Sequence, residues 1–276
     1  MNLLEYLKQY ADVLCDEPLA KHTTFRIGGT CDYFVYPKTV LSFMRIMQLL
    51  KEQEVPFQIF GKGSNLLCSD DAYHGVVVCL DRYLNNFYFE EDGTLVAEAG
   101  CSIILLAQEA MRHSFSGLEF ASGIPGTVGG AIYMNAGAYN GEIGSLIKEV
   151  YFIDENLNLK TLKNEQLDFS YRHCALSGRD VVITGACLEL EHGNKEQINE
   201  LIRDYTRRRR ERQPLEYPSA GSMFKRPAGA YAAALIDQAG LKGMRVGDAC
   251  ISQKHAGFFI NLGKATAEQM LELVER

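Results

Sequence analysis

Residues 122–137 read Ser-Gly-Ile-Pro-Gly-Thr-Val-Gly-Gly-Ala-Ile-Tyr-Met-Asn-Ala-Gly, with five glycines in sixteen positions. Such a run cannot be the interior of an ordinary helix or strand. Glycine opens positive φ to the backbone and removes the Cβ that keeps a ligand off the main chain. Polar side chains are few, so recognition would fall to backbone N–H groups. Successive N–H donors facing one concavity suit a phosphate. The tail Ala131-Ile132-Tyr133-Met134 reads as a short helix whose start points at the same anion. The competing reading is a tight structural turn.

A second segment, 57–67, reads Phe-Gln-Ile-Phe-Gly-Lys-Gly-Ser-Asn-Leu-Leu. An apolar run ends in Gly61-Lys62-Gly63-Ser64-Asn65, giving a strand and then a loop of phosphate size. It is neither a Walker A loop nor the dinucleotide fingerprint Gly-x-Gly-x-x-Gly, which occurs nowhere in the chain. Two glycine loops of different spacing suggest a pyrophosphate held from two sides.

The 276 residues leave room for one large domain or two ordinary ones, and a 47% apolar content supplies a core. The net charge of −7 argues against attraction to nucleic acid. No apolar run approaches the roughly 18 residues needed to span a bilayer, and the N-terminus lacks the basic and apolar regions of a signal peptide. A cytoplasmic protein without a membrane partner is expected. The cysteines at 15, 31, 68, 79, 101, 174, 187 and 250 form no Cys-x-x-Cys and lie mostly in apolar segments. They read as free thiols, with no metal site.

These loops need elements to hold them. Leu3, Leu4, Leu7, Tyr10, Ala11 and Leu14 recur at helical spacing, as do the apolar residues of 40–53 and of 103–111. Strands are expected at 32–36, 57–60, 75–80 and 181–190, at 87–90 and 94–99 around an Asp92-Gly93 turn, and at 149–154 and 159–162 around Glu155-Asn156. A helix starts at Asn194-x-x-Gln197, which resembles a capping box, and runs to about Arg212. Pro214 and Pro218 then mark the best boundary. A helix over 230–239 stopped by Gly240, short strands near 249–251 and 257–261, and a helix from Ala267 complete the chain. Without a regular strand–helix–strand period, the class is α+β rather than doubly wound.

The chain resembles the UDP-N-acetylenolpyruvoylglucosamine reductases over nearly its whole length. The resemblance rests on His22-Thr23-Thr24-Phe25-Arg26-Ile27-Gly28-Gly29, on Gly61–Asn65, on Ser122–Gly130 and on Ser170-Tyr171-Arg172. It rests also on Pro218-Ser219-Ala220-Gly221-Ser222-Met223-Phe224-Lys225-Arg226-Pro227, on Gly240-Leu241-Lys242-Gly243 and on His255-Ala256-Gly257-Phe258-Phe259-Ile260-Asn261. It implies an N-terminal helix over 1–20 and an FAD-binding domain of the PCMH type, in two subdomains, over 21–190. A smaller α+β substrate-binding domain follows over 191–276. The short 222–250 region matches the branch without a tyrosine-bearing insertion.

The family reduces an enolpyruvyl ether to a lactyl ether with NADPH as reductant and FAD as carrier, so FAD and NADPH are the expected cofactors. The resemblance places FAD on Gly61, Lys62, Gly63, Ser64, Asn65, Ser122, Gly123, Gly126, Thr127, Gly129 and Gly130. It assigns Arg172 to the substrate carboxylate, where charge grows in the transition state, and Ser222 to proton delivery at the α carbon. The residues alone favour an Arg172 tied to Asp168 or Asp180 and a Ser222 that is a turn hydroxyl, and the resemblance reverses both. A third family residue, a glutamate near the C-terminus, has no match in Glu272 or Glu275. It is expected beyond Arg276, as in a truncated C-terminal domain. The basic run Arg207–Arg210 with Arg212 reads as a solvated helix face or, together with Gln213 or Lys225, as a diphosphate contact. His255 reads as a core histidine or a phosphate ligand. Two rival functions remain: another PCMH-type flavoprotein, such as an alcohol oxidase, and a nucleotide-binding relative without catalysis.

Overall fold

A computed structural model describes residues 2–276. Strands Ala11–Pro18, Thr30–Pro37, Tyr73–Cys79 and Phe57–Phe60 form one sheet in that order. The last two run parallel, with Phe57 opposite Val76 and Phe60 opposite Cys79. A second, antiparallel sheet runs Leu159–Lys163, Ile147–Ile153, Val182–Glu189, Thr94–Glu98 and Phe87–Phe89. A third, of short strands, runs Arg245–Val246, Ala249–Ile251 and Phe259–Asn261.

Helical periodicity marks the helices. Phe43, Ile46, Met47 and Leu50 of helix Val40–Glu52 are buried at i, i+3, i+4 and i+7, and so are Ile103, Leu106, Ala107 and Ala110 of helix Ile103–Arg112. Helix Lys195–Arg212 begins where expected, with the Gln197 N–H donating to Asn194 Oδ1 at 3.0 Å. The first helix is shorter than its apolar spacing predicts. It spans Leu3–Tyr10, and Ala11 turns extended (φ −144°) to begin an edge strand. Over so few residues helical and alternating patterns coincide, and sheet pairing decides.

The chain divides into two compact units that do not follow chain order. One is Met1–Leu14, Phe34–Gly61 and Val76–Arg207; the other is Cys15–Tyr33, Lys62–Gly75 and Arg208–Arg276. In the second unit Phe25 and Ile27 share a core with Ala249, Ile251, Phe259, Ala265, Ala267, Met270 and Leu273. Polar ties reinforce it. Buried Asn261 donates to Phe25 O at 3.0 Å and accepts from the N–H groups of Gly263 and Ala265. Asp70 Oδ2 accepts from Ala267 and Glu268, capping helix Ala267–Glu275. No helix among the described residues is long and apolar enough to cross a membrane. All eight cysteines are free, and among the described residues no group of three or more His, Cys, Asp or Glu side chains could hold a metal ion.

Candidate active site

The segment 122–137 belongs to the first unit, and its backbone is largely self-satisfied. The N–H groups of Ile124 and Gly126 donate to Ala121 O and Ile124 O, and those of Val128 and Gly129 to Cys101 O and Ala99 O. Gly130 donates to Thr127 Oγ1 at 3.4 Å and Ala131 to Thr127 O. The expected row of free donors is therefore absent from these positions. Nor do Gly123, Gly126, Gly129 and Gly130 take positive φ. Gly129 and Gly130 lie inside helix Val128–Tyr133, capped by Thr127. That helix packs on strands Val182–Glu189 and Thr94–Glu98. Its glycines serve close approach: a Cβ on Gly129 would lie 3.0 Å from Ala99 Cβ. At the mouth of the segment Ser122 is the exception. Its Oγ is shut off from solvent and has no hydrogen-bond partner.

The first glycine loop is built the other way. Gly61 ends strand Phe57–Phe60, and a Cβ there would meet Thr127 Oγ1 at 2.5 Å. Lys62 is exposed, whereas Gly63 is buried with φ +57°. A Cβ on Gly63 would lie 2.0 Å from His22 O, while Gly63 O accepts from Thr24 N at 3.2 Å. No acceptor among the described residues takes the N–H groups of Gly63, Ser64 and Asn65. Consecutive open donors beside a glycine in the left-handed region form a nest for an anion. Open amides in the first loop are groups that a dinucleotide's phosphates would satisfy, and the orphaned Ser122 hydroxyl is, in its own unit, a polar group in want of a partner; each by itself fits a flavin dinucleotide.

Arg172 sits at the tip of a tight turn closed by mutual Ser170–His173 backbone bonds of 3.1 Å and anchored by buried Leu167, Cys174 and Leu176. Its φ of +55° is rare for a residue with a Cβ, a strain found at functional sites. Neither Asp168 nor Asp180 holds it, and Asp180 pairs with Lys51 instead. The guanidinium donates to Asn135 O at 3.0 Å and Gly137 O at 2.7 Å, and lies over the Tyr171 ring. Two of its five N–H donors are used and three remain, with the charge unpaired among the described residues.

Asn135, which the glycine count passes over, frames this arginine. It is fully buried with φ +40°. Its Nδ2 donates to Ser170 O at 2.9 Å, its Oδ1 accepts from Gly144 N at 3.0 Å, and its carbonyl receives Arg172. One side chain thus sets the arginine turn against the glycine segment. The signal was a lone amide in the otherwise apolar and glycine-rich tail of the segment.

Ser222 belongs to the second unit and is exposed. It bridges to Phe258, next to the Met223 N–H to Gly257 O bond of 2.9 Å, and follows Gly221 at φ +84°. His255 stands in the turn that leads to Phe258, whose N–H donates to His255 O at 2.9 Å. Its Nδ1 accepts from Gly257 N at 3.1 Å and its ring meets Phe258 edge-on. Burial lowers its pKa, so it is a neutral framing group. The basic run is mostly exposed, with Arg207 paired to Asp204 and Arg209 bonded to Gln213.

Comparison with known proteins gives the family. Residues 31–162 match the family described as an FAD binding domain. Residues 213–276 match the UDP-N-acetylenolpyruvoylglucosamine reductase C-terminal domain. Reductases of that name from Caldanaerobacter subterraneus subsp. tengcongensis and Caldicellulosiruptor saccharolyticus are 44% and 45% identical. The alignments cover 99% and 95% of this chain and 90% and 85% of those proteins. The crystal structure of the reductase from Thermus caldophilus superposes with a TM-score of 0.83 at 35% identity, over 96% of this chain and 93% of that one. A cholesterol oxidase shares the fold alone, with a TM-score of 0.52 at 14% identity over 66% of this chain and 38% of that one. The fold is thus α+β with a PCMH-type FAD-binding part and a reductase C-terminal part, and the chain belongs to the UDP-N-acetylenolpyruvoylglucosamine reductase family.

Proposed function

We propose that the chain reduces UDP-N-acetylglucosamine enolpyruvate to UDP-N-acetylmuramate in peptidoglycan precursor synthesis, with NADPH as reductant. The observation that carries the reading is Arg172: an arginine strained at its backbone, fixed by two carbonyls and left with its charge unpaired. Such a group suits a substrate carboxylate.

Bound FAD supplies hydride transfer to the enolpyruvyl methylene carbon. Gly63, Ser64 and Asn65 would hold its phosphates through their open N–H groups, with Gly61 and Lys62 in the same loop, and Ser122, Gly123, Gly126, Thr127, Gly129 and Gly130 would seat it by close approach. Arg172 stabilises the negative charge that develops on the substrate carboxylate. Ser222 gives its hydroxyl proton to the α carbon. A hydroxyl is a weak acid, but a carbanion-like centre is basic enough to take its proton. By this reading residues 21–190 serve the cofactor and 191–276 the substrate. The protein works in the cytoplasm, where both of its nucleotide substrates reside, and it belongs to the branch without the tyrosine loop.

Stopped-flow measurement of the two half-reactions tests the roles. Ser222→Ala leaves flavin reduction by NADPH intact and slows substrate reduction by about 10²–10⁴-fold. Arg172→Ala likewise spares the first half and costs the second about 10²–10³-fold. Equal losses in both halves sink these assignments.

A further inference from the structure

Two buried side-chain oxygens among the described residues have no hydrogen-bond partner, Ser122 Oγ and Thr24 Oγ1. Ser122 stands in the second glycine segment. Thr24 stands in neither loop, yet its N–H donates to Gly63 O at 3.2 Å, and Gly63 nests against His22 and Thr23. The next residue back makes an internal control. Thr23 is also buried, but its hydroxyl donates to Ile27 O at 3.0 Å. The turn that follows is fixed by Arg26 N to Thr23 O, by Arg26 at φ +56° and by Asn261 on Phe25 O. The backbone that carries Thr24 is therefore held on both sides.

A buried, unpaired hydroxyl is costly, and the Thr24 N–H to Gly63 O bond ties its residue to the loop of open amides, which gives a reason to keep it. We propose that Thr24 is a cofactor-contacting residue whose hydroxyl donates to an anionic diphosphate oxygen held by the Gly63–Asn65 amides. The inference rests on the reading that the chain binds FAD. Thr24 adds to a loop of backbone donors one side-chain donor, supplied from the opening segment of the second unit.

The test uses apoprotein of the wild type, Thr24→Val and Thr24→Ser, titrated with FAD by flavin fluorescence, with ADP as a competitor that carries the diphosphate but no flavin. In Thr24→Val the FAD dissociation constant rises about tenfold and the ADP inhibition constant rises in parallel. The apoprotein melts no lower than wild type, because an orphaned group has been removed. Thr24→Ser restores both affinities. Unchanged FAD affinity in Thr24→Val overturns the proposal. So does weakened FAD binding with unchanged ADP competition, which would put the hydroxyl at the flavin end. A Thr24→Val apoprotein that melts several degrees lower marks a packing role and overturns it too. A wild type that binds ADP but no FAD refutes the underlying cofactor reading instead.

Discussion

The loop Gly61–Asn65 and the segment 122–137 look alike on paper, each a cluster of glycines flanked by apolar residues, but they spend their backbones oppositely. The first keeps the N–H groups of Gly63, Ser64 and Asn65 open and uses a left-handed glycine to aim them. The second commits its amides to Ala121, Ile124, Cys101, Ala99 and Thr127 and uses its glycines for close packing. Glycine content alone therefore says nothing about which loop offers charge and which offers shape. The hydrogen-bond accounting of each N–H does. On this view the first loop supplies most of the electrostatic grip on an anion, and the second supplies the rigid wall from which Arg172 is hung.

The comparison breaks most sharply at Gly63. Its φ of +57° is only mildly unfavourable for alanine, but a Cβ would sit 2.0 Å from a backbone oxygen, His22 O, which cannot rotate away. Gly63→Ala should cost about 4 kcal/mol or more, the range reserved for a named structural clash. Flavin retention should be lost with it. Thermal unfolding of the apoprotein reads the first effect and the flavin absorbance of the purified protein the second. A variant that purifies yellow and melts like wild type would show that the first loop is no more constrained than the second.

Asn135 sharpens the other side. If the second segment is a frame, its key polar group should matter to the arginine turn and not to the cofactor. Asn135→Ala strands the buried Gly144 N–H, at about 1–3 kcal/mol, and leaves the exposed Ser170 carbonyl to its His173 bond alone. It also loosens the turn that carries Arg172. Flavin content and reduction by NADPH should hold, while substrate reduction falls by about 10–100-fold as the arginine loses register. Loss of flavin in proportion to loss of activity would make Asn135 part of the cofactor seat instead.

Much of this was legible in the residues. Strand Phe57–Phe60 and helices Val40–Glu52 and Ile103–Arg112 follow their apolar periods to within a residue or so, because buried stripes dictate both. The positions of both glycine segments and of Arg172 and Ser222 were legible as motifs. The division of labour was not, since the destination of an N–H depends on strands far away in sequence, such as that ending near Ala99. The compact units were equally hidden. Phe25 and Ile27 complete a core built mainly from residues after 248, a contact spanning more than 200 positions that no local pattern announces. The short first helix failed for the opposite reason, being too local: apolar residues at 7, 11 and 14 fit a helix, but an open sheet edge took Ala11–Pro18.

The gentlest test concerns the one buried side-chain oxygen of the second segment that the frame does not use. Ser122 Oγ is buried and unpaired, so its presence destabilises the apoprotein unless something else receives it. Ser122→Ala should raise the apoprotein's stability by up to about 1 kcal/mol and weaken FAD binding by roughly three- to tenfold. The two changes have opposite signs, which separates a ligand-facing hydroxyl from a packing defect. Higher stability with unchanged affinity would leave the second segment as shape alone. Lower stability would mean that the hydroxyl has an internal acceptor, and the contrast between the two loops would then lose its only exception.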